Sequence, residues 1–253
     1  MSKKEVIKLK SESEIRTMQE GGEKLSRVKK KLFDAVLIGV SAYEIEVLAN
    51  ELIKKEGAEV SFKKVPGYSW ATCINVNAGI VHGIPKKSLI FKKGDIVSVD
   101  CGVYYKGFHT DTSFSKELGG NDFAKRFIAS GKRALSEAIG AAKAGNRIFD
   151  ISQKIESELK KDSLAPIRAL VGHGVGRDLH EAPQISCFTY GSRLDSPEIQ
   201  AGMVLAIEVM YTTGVGDIAL DPDGWTISTS DGKISGLFED TVAITGRGHL
   251  VLT

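Results

Sequence analysis

The sequence predicts an α+β fold. Two observations support this prediction: amphipathic helical segments are followed by β-branched segments, and one helical pattern occurs twice, which, if it is a true repeat, implies two similar halves around a central cleft. The chain has 253 residues, 42% hydrophobic and 26% charged, which is enough for a sizeable core in one domain.

The first two helices are predicted from apolar periodicity and capping residues. A helix is expected from about Glu12, and Gly21 with Gly22 should weaken its middle. The second helix has Ser41 as its N-cap and Glu44 as the partner that completes a capping box.

Strands and two further helices follow. The stretch "VPGYSWATCINVNAGIVHGIP" indicates short strands and loops, and "DIVSVDCGVYYKGFHTDTSFSKEL" indicates a β-hairpin. Helices are expected from Asp122 to about Ala144 and from about Ile148 to Lys161. From Ile167 onward the sequence is typical of strands and turns.

The second helix and the fourth resemble each other. "GVSAYEIEVLANELIKKEG" from Gly39 aligns with "GNRIFDISQKIESELKKDS" from Gly145 at an offset of 106. If this is a true repeat, the single domain divides into halves of about 12–118 and 121–250, with a site at their seam. Two ordinary amphipathic helices that match by chance would give the same alignment.

Two aspartates interrupt the hairpin. A two-residue turn at Tyr105–Lys106 would place Asp100 opposite Asp111, and one at Lys106–Gly107 would place Asp111 opposite Gly102. Both registers put the two carboxylates on one face, where they would repel unless a cation lay between them. The alternative is two exposed aspartates on a solvent face.

Further metal-ligand residue types occur downstream. "VGHGVGRDLHEAP" contains His173 and His180, and "MVLAIEVMYT" and "SGLFEDTVAIT" place Glu208 and Glu239 inside apolar strands. Glutamate is depleted in strands and is rarely buried unpaired. Four carboxylates exceed what one structural zinc needs, so two bridged metal ions of a hydrolytic centre fit better.

At these motifs the sequence resembles the methionine aminopeptidases, metal-dependent enzymes of the pita-bread fold. The matching stretches are "CINVNAGIVHGIP", "DIVSVDCG", "GFHTDTS", "GHGVGRDLHEAP", "GMVLAIEVM", "DGWT" and "FEDTVAIT". The resemblance implies two pseudo-symmetric α/β halves around an antiparallel sheet that carries a dimetal site. It implies that the metal ligands are Asp100, Asp111, His173, Glu208 and Glu239, with Asp111 and Glu239 bridging.

The resemblance also implies roles for residues around the metals. His82 would contact the substrate near the scissile amide nitrogen, and His180 would bind the carbonyl oxygen. The remaining implied roles are a proton-transferring Glu208 and an apolar methionine pocket formed by Tyr68, Cys73 and Trp225.

Some residues depart from the family pattern. Ala78 stands where glutamate is usual, Val81 where cysteine is usual, Leu179 where an aromatic residue is usual, and Val209 where proline is usual. None removes a ligand, but the shape of the specificity pocket should differ. The short segment between the histidine and first glutamate ligands resembles the family's type 1.

The resemblance implies hydrolysis of the first peptide bond, which removes methionine from the N-terminus of peptides and nascent proteins. The cofactors would be two divalent ions, with cobalt, manganese, iron and zinc all suited to the ligands. An Xaa-Pro dipeptidase would share the ligand set, but such enzymes usually have a further N-terminal domain and a histidine where Arg177 stands. A third reading is an inactive binding protein of the same fold.

Composition indicates the binding partners and the cellular compartment that we expect for the protein. The net charge of +2 gives no case for stable nucleic-acid binding, and no apolar run reaches membrane length. Three widely spaced cysteines, Cys73, Cys101 and Cys187, favour a reducing compartment. We therefore expect a cytoplasmic monomer, with a transient ribosome contact through lysine-rich surfaces following from the presumed substrate.

Overall fold

The computed structural model describes residues 6–253, which form four α-helices and thirteen strands. The helices are α1 (Glu12–Ala35), α2 (Ala42–Lys55), α3 (Asp122–Ala141) and α4 (Ile148–Lys161). The strands are β1 (Glu59–Val60), β2 (Thr72–Val76), β3 (Gly79–Val81), β4 (Ile96–Tyr105), β5 (Phe108–Glu117), β6 (Ala165–Pro166), β7 (Val171–Gly174), β8 (Glu181–Ser186), β9 (Val204–Thr212), β10 (Ile218–Leu220), β11 (Ile227–Thr229), β12 (Ser235–Thr245) and β13 (Gly248–Val251).

The helix ends follow local capping chemistry. The predicted capping box of α2 is confirmed, since the Ser41 hydroxyl accepts from the Glu44 amide while the Glu44 carboxylate accepts from the Ser41 amide. Helix α3 ends three residues before the predicted Ala144. The side-chain amide of Asn146 donates to the Ala141 carbonyl at 2.8 Å and closes the helix there.

Helix α1 runs unbroken through Gly21 and Gly22, where other parts of the chain come too close for a larger residue. A Cβ at Gly22 would lie 2.2 Å from the carbonyl oxygen of Leu252, and one at Gly21 would lie 3.3 Å from Cβ of Tyr105. The glycines therefore let α1 lie close against the sheet and the last residues of the chain.

The main sheet has ten antiparallel strands in the order β1-β4-β5-β12-β9-β7-β8, with β2, β6 and β13 pairing at its sides. A small sheet, β10-β11-β3, lies beside it. The hairpin of β4 and β5 turns at Lys106 and Gly107, which both have positive φ, and Gly102 pairs with Asp111. The second of the two predicted registers is therefore confirmed.

Two helix pairs pack on the sheet, and each has its own apolar core. One core joins α1 and α2 to β2 and β4, and the other joins α3 and α4 to β9 and β12. Helices α2 and α4 have 14 residues each and begin 106 residues apart, at Ala42 and Ile148. The equal helices agree with the repeat, while the division into 12–118 and 121–250 stays a prediction.

Within residues 6–253, no helix has the length and apolar character that crossing a bilayer requires.

The close contact at Gly22 leads to a stability prediction. Gly22→Ala should lower the free energy of unfolding by about 1–3 kcal/mol, because the new methyl group must push against the backbone of Leu252. Gly140→Ala in α3 is the matched control. No atom lies within 4 Å of its added Cβ, so stability should stay level or rise by up to about 1 kcal/mol. Urea denaturation measures both, and equal effects would contradict the packing argument.

Candidate metal centre

Strand register places four polar side chains in one row across the main sheet. Asp100 of β4 pairs with Ser113 of β5, Ser113 pairs with Glu239 of β12, and Glu239 pairs with Glu208 of β9. Directly paired residues of antiparallel strands point to the same face. Three of the predicted ligands therefore come together through backbone pairing alone.

The other two predicted ligands lie in the neighbouring row of the same face. Asp111 is two residues before Ser113, and His173 of β7 pairs with Ala206, two residues before Glu208. One ligand atom from each of Asp111, His173 and Glu239 lies within 4.8 Å of the other two.

A single cavity of about 130 Å³ has all five predicted ligands in its wall. The structure thus brings together every residue that the sequence assigned to the metals. Ser113 lies in the same row of the sheet but does not line this cavity; it borders a separate cavity together with residues of α1 and α3.

The four carboxylates are costly in the metal-free protein. Asp111 and Glu239 are only 4% and 2% exposed, and burial raises the pKa of Asp111 to about 7. Burial, and then the neighbouring acidic groups, raise the pKa of Asp100, Glu208 and Glu239 well above its ordinary value. Among the described residues no lysine or arginine pairs with them, and the nearest basic group is the His173 ring, whose Nε2 lies 3.5 Å from Glu208 Oε1.

The donor set fits divalent metal ions. Asp100 Oδ1, Glu239 Oε1 and Ser113 Oγ are buried without a hydrogen-bond partner in the described chain. Burial lowers the pKa of His173 to about 3, so its imidazole is neutral and can act as a ligand. A cation would reverse the raised carboxylate pKa values, because its charge favours the ionised forms.

Backbone and hydroxyl contacts hold the ligands in place. Strand β5 pairs with β12 over only two residue pairs, and β13 pairs with the continuation of β12 along the same edge. At this junction the Thr241 hydroxyl accepts from the Asp111 amide at 2.9 Å and donates to the Asp111 carbonyl at 2.8 Å. His173 is oriented by its Nδ1, which donates to the Gly174 carbonyl at 2.9 Å.

His82 borders the same cavity from the end of β3. Its φ is +58°, a left-handed conformation that non-glycine residues rarely adopt and that is common at functional sites. The next residue must be glycine, since a Cβ at Gly83 would lie 2.1 Å from the carbonyl oxygen of Ile74. The close approach of this turn to β2 directs His82 over the cavity.

His180 lies at the exposed mouth of the cavity, just before β8. Its ring is perpendicular to that of His173, with the centroids 4.5 Å apart. His82 and His180 therefore border one space beside the ligand cluster, as the sequence predicted.

The remaining wall is apolar. Tyr68, Cys73 and Trp225, the three predicted pocket residues, all line it, and the rings of Tyr68 and Trp225 are 5.1 Å apart. Phe62 and Val65 also line it and were not predicted. They precede Tyr68 in "SFKKVPGY", where nothing marks them as other than ordinary core residues.

A buried carboxylate on α2 holds the strand that carries Cys73. The Glu46 side chain accepts from the backbone amides of Ala71 and Thr72 at 2.8 and 2.9 Å and from the Thr72 hydroxyl at 2.7 Å. This contact was also missed, because Glu46 occupies a position of the helix that shows no unusual pattern in sequence.

The four departures from the family pattern divide into two groups. Val81 and Leu179 line the cavity, so they change its shape directly. Val209 is fully buried in the core beneath α3 and α4, and Ala78 lies in the turn between β2 and β3. Only the first two therefore bear on which side chain the cavity accepts.

The chain is similar to known metallopeptidases over nearly its whole length. The model of metallopeptidase family M24 matches residues 16–246. The methionine aminopeptidase of Clostridium perfringens is 39% identical, over 98% of this chain and 99% of that protein. The crystal structure of the methionine aminopeptidase of Thermotoga maritima has a TM-score of 0.94 at 36% identity and covers 98% of this chain and 99% of its own.

A more distant likeness shows the fold alone. The prolidase of Pyrococcus furiosus has a TM-score of 0.75 at 22% identity, and the match covers 97% of this chain but 65% of that one.

The Thr241 contact predicts an effect on metal affinity. Thr241→Val removes both hydrogen bonds to the Asp111 backbone, and we expect metal affinity to fall about tenfold. Thr241→Ser keeps the hydroxyl and should retain affinity within about twofold of the unmodified protein. Calorimetric titration with Mn²⁺ measures both, and equal affinities in the two variants would contradict the contact's role.

The raised carboxylate pKa values predict how stability depends on pH. In the metal-free protein the pKa of Asp111 is about 7, whereas in the unfolded chain it returns to its ordinary value of about 4. Between these two values the folded state holds a proton that the unfolded state has released, so the contribution of Asp111 to stability should fall as pH rises through about 7 and level off above about 8. Burial lowers the pKa of four histidines, which makes stability rise with pH below about 6.5, so the measurement starts above that value; these are His82, His109, His173 and His180.

Urea midpoints of protein treated with a chelator measure this slope. With saturating Mn²⁺ the fall should disappear or reverse, because metal binding tightens as the ligands lose protons. A metal-free protein whose stability rises over the same range would contradict the burial of these acids.

Proposed function

Because the chain belongs to metallopeptidase family M24, and within it to the methionine aminopeptidases, we propose that the cavity described above is its active site. The protein is a metallo-aminopeptidase that removes N-terminal methionine. The proposal concerns which residues perform this reaction and on which substrates.

Five residues would hold the metal ions: Asp100, Asp111, His173, Glu208 and Glu239. We propose that these residues would hold two divalent ions, because four carboxylates and one imidazole exceed the needs of one ion. When bound, the ions supply Lewis-acid chemistry, lowering the pKa of a water and polarising a carbonyl group. Cobalt, manganese, iron and zinc are all compatible with these ligands.

The protein's own groups then perform three tasks. Glu208 accepts the proton of the attacking water and returns it to the nitrogen of the leaving amine. His180, at the mouth of the cavity, donates to the substrate carbonyl oxygen as negative charge develops there. His82 contacts the scissile amide nitrogen from the opposite turn.

The apolar wall suits a methionine side chain. Tyr68, Trp225 and Cys73 surround a space next to the ligand cluster, and thioether–aromatic contacts are worth up to about 1.5 kcal/mol each. Leu179 and Val81 complete this wall with aliphatic surface. A straight, polarizable side chain fills such a narrow space better than a branched one.

The observation that carries the proposal is the convergence of all five ligand residues, two histidines and an apolar wall on one cavity. The alternative of an Xaa-Pro dipeptidase is not favoured, because the prolidase of Pyrococcus furiosus is 22% identical and shares the fold alone. The full-length identity of 39% to a methionine aminopeptidase favours methionine.

The proposal also covers the natural substrates, the cellular compartment, the oligomeric state and a ribosome contact. The substrates would be nascent chains and peptides in the cytoplasm, reached by a monomer that makes transient ribosome contacts. Three cysteines that form no disulfide, all buried, agree with a reducing compartment. A reaction on nascent chains would require access to the ribosome as they emerge.

Asp111→Asn tests the central ligand. Metal affinity and release of methionine from Met-Ala-Ser should both fall at least about a hundredfold, since even residues that only support ligands cost 10–100-fold. Asp122→Asn, an exposed aspartate in the first turn of α3, is the control and should leave both values unchanged.

The substrate is tested in the same assay with added Mn²⁺ or Co²⁺. Met-Ala-Ser should be cleaved and Ala-Pro should not. An unchanged rate in Asp111→Asn would refute the assigned site, while preferential cleavage of Ala-Pro would support the dipeptidase alternative.

A further inference from the structure

The N-terminal segment is tied by ion pairs to the turn that carries His180. We call residues 175–180, between β7 and β8, the His180 turn. Lys8 contacts Asp178 at 2.6 Å, and Arg177 contacts Glu14 at 2.8 Å. Lys10 contacts Glu181, the residue after His180, at 2.6 Å. The segment from Lys8 to α1 therefore holds the turn at three points.

The three ion pairs differ in burial. The side chains of Lys8 and Asp178 are 52% and 65% exposed, and Arg177 is 64% exposed. Exposed pairs of this kind hold a geometry only weakly. The side chains of Lys10 and Glu181 are 5% and 2% exposed, so this pair cannot exchange its partners for water.

The buried pair also has further contacts that fix its position. Lys10 Nζ donates to the Lys8 carbonyl, and the Lys10 amide donates to the Gly202 carbonyl. A Cβ at Gly176 would lie 2.4 Å from Lys10 Cε, so the lysine stem lies directly against the turn. The Glu181 carboxylate accepts from the amide of Asp178, which closes the turn from the inside.

We propose that Lys10 is a positioning residue for His180. Lys10 touches neither the cavity nor the ligands, but its ion pair fixes the backbone of the residue that follows His180. Besides the two exposed ion pairs, the turn is attached through β7 and β8 and by two backbone hydrogen bonds. The Val175 amide donates to the Val204 carbonyl, and the His109 amide donates to the Gly176 carbonyl. The inference rests on the proposed role of His180, because positioning matters only if that imidazole meets the substrate.

Removing one member of the buried ion pair would leave an unpaired buried charge, which could unfold the protein. The decisive variant therefore replaces both Lys10 and Glu181. Lys10→Met with Glu181→Met replaces the buried pair with apolar side chains of similar length, a change that is often neutral for stability. Lys8→Met is the matched control, since it removes the exposed pair with Asp178 and only a longer contact of 3.8 Å to Glu181, and leaves the 2.6 Å pair of Lys10 with Glu181 in place. Thermal unfolding and Mn²⁺ titration should show both variants folded and metal-loaded.

For the double variant we expect kcat on Met-Ala-Ser to fall about tenfold or more, since small displacements of a catalytic group are costly. The KM for Met-Ala-Ser should change by less than about threefold. The inhibition constant of L-methioninol should change equally little, because this compound lacks the carbonyl group that His180 would contact. The kcat of Lys8→Met should stay within about twofold of the kcat of the unmodified enzyme. In a His180→Ala background the double substitution should cause no further loss of kcat.

A measurement without turnover separates this inference from the proposed function. The chain has five histidines, so the His180 ring signal in a carbon–proton NMR spectrum can be assigned by its loss in His180→Ala. It should shift or broaden in the double variant and not in Lys8→Met. An unchanged signal, a wild-type kcat, or a full additional loss in the His180→Ala background would overturn the inference. Absence of any methionine release by the unmodified enzyme would instead refute the proposed function.

Discussion

The structure depends on the repulsion among four carboxylates that the fold forces into one buried cluster. Asp100, Asp111, Glu208 and Glu239 come from four adjacent strands, and neither lysine nor arginine of the described chain pairs with them. Unpaired buried acids take up protons or bind cations. The sheet thus provides a site that is unfavourable until positive charge enters it, which is the condition for tight binding of divalent ions.

The apolar half of the cavity and the charged half have different structural origins. The charged half rests on long ladders in the centre of the sheet, where backbone pairing fixes each side chain. The apolar half comes mainly from turns and connections, including Tyr68, Leu179 and Trp225. Loops tolerate substitution better than paired strands. The departures Val81 and Leu179 accordingly alter the wall and leave the ligand rows intact.

Local sequence signals predicted the helices and the hairpin and identified the candidate ligands, because each of these patterns depends on nearby residues. Ser41 with Glu44 identified a helix start, and the Lys106–Gly107 turn set the register that places Asp111. The family resemblance predicted which residues, far apart in the sequence, would lie together in one metal site. Long-range packing could not be predicted from the sequence. Gly22 of α1 meets Leu252, and the partners of Thr241 and Lys10 are 130 and 171 residues away.

The antiparallel pairing of β9 with β12 also limits where insertions and deletions can be tolerated. Glu208 and Glu239 face the cavity only because their ladder keeps its parity over nine residue pairs. One inserted residue within either strand would turn the glutamate beyond it toward the helices. Insertions and deletions should therefore collect in connections such as 187–203 and 213–234, where they leave the parity of the ladder untouched.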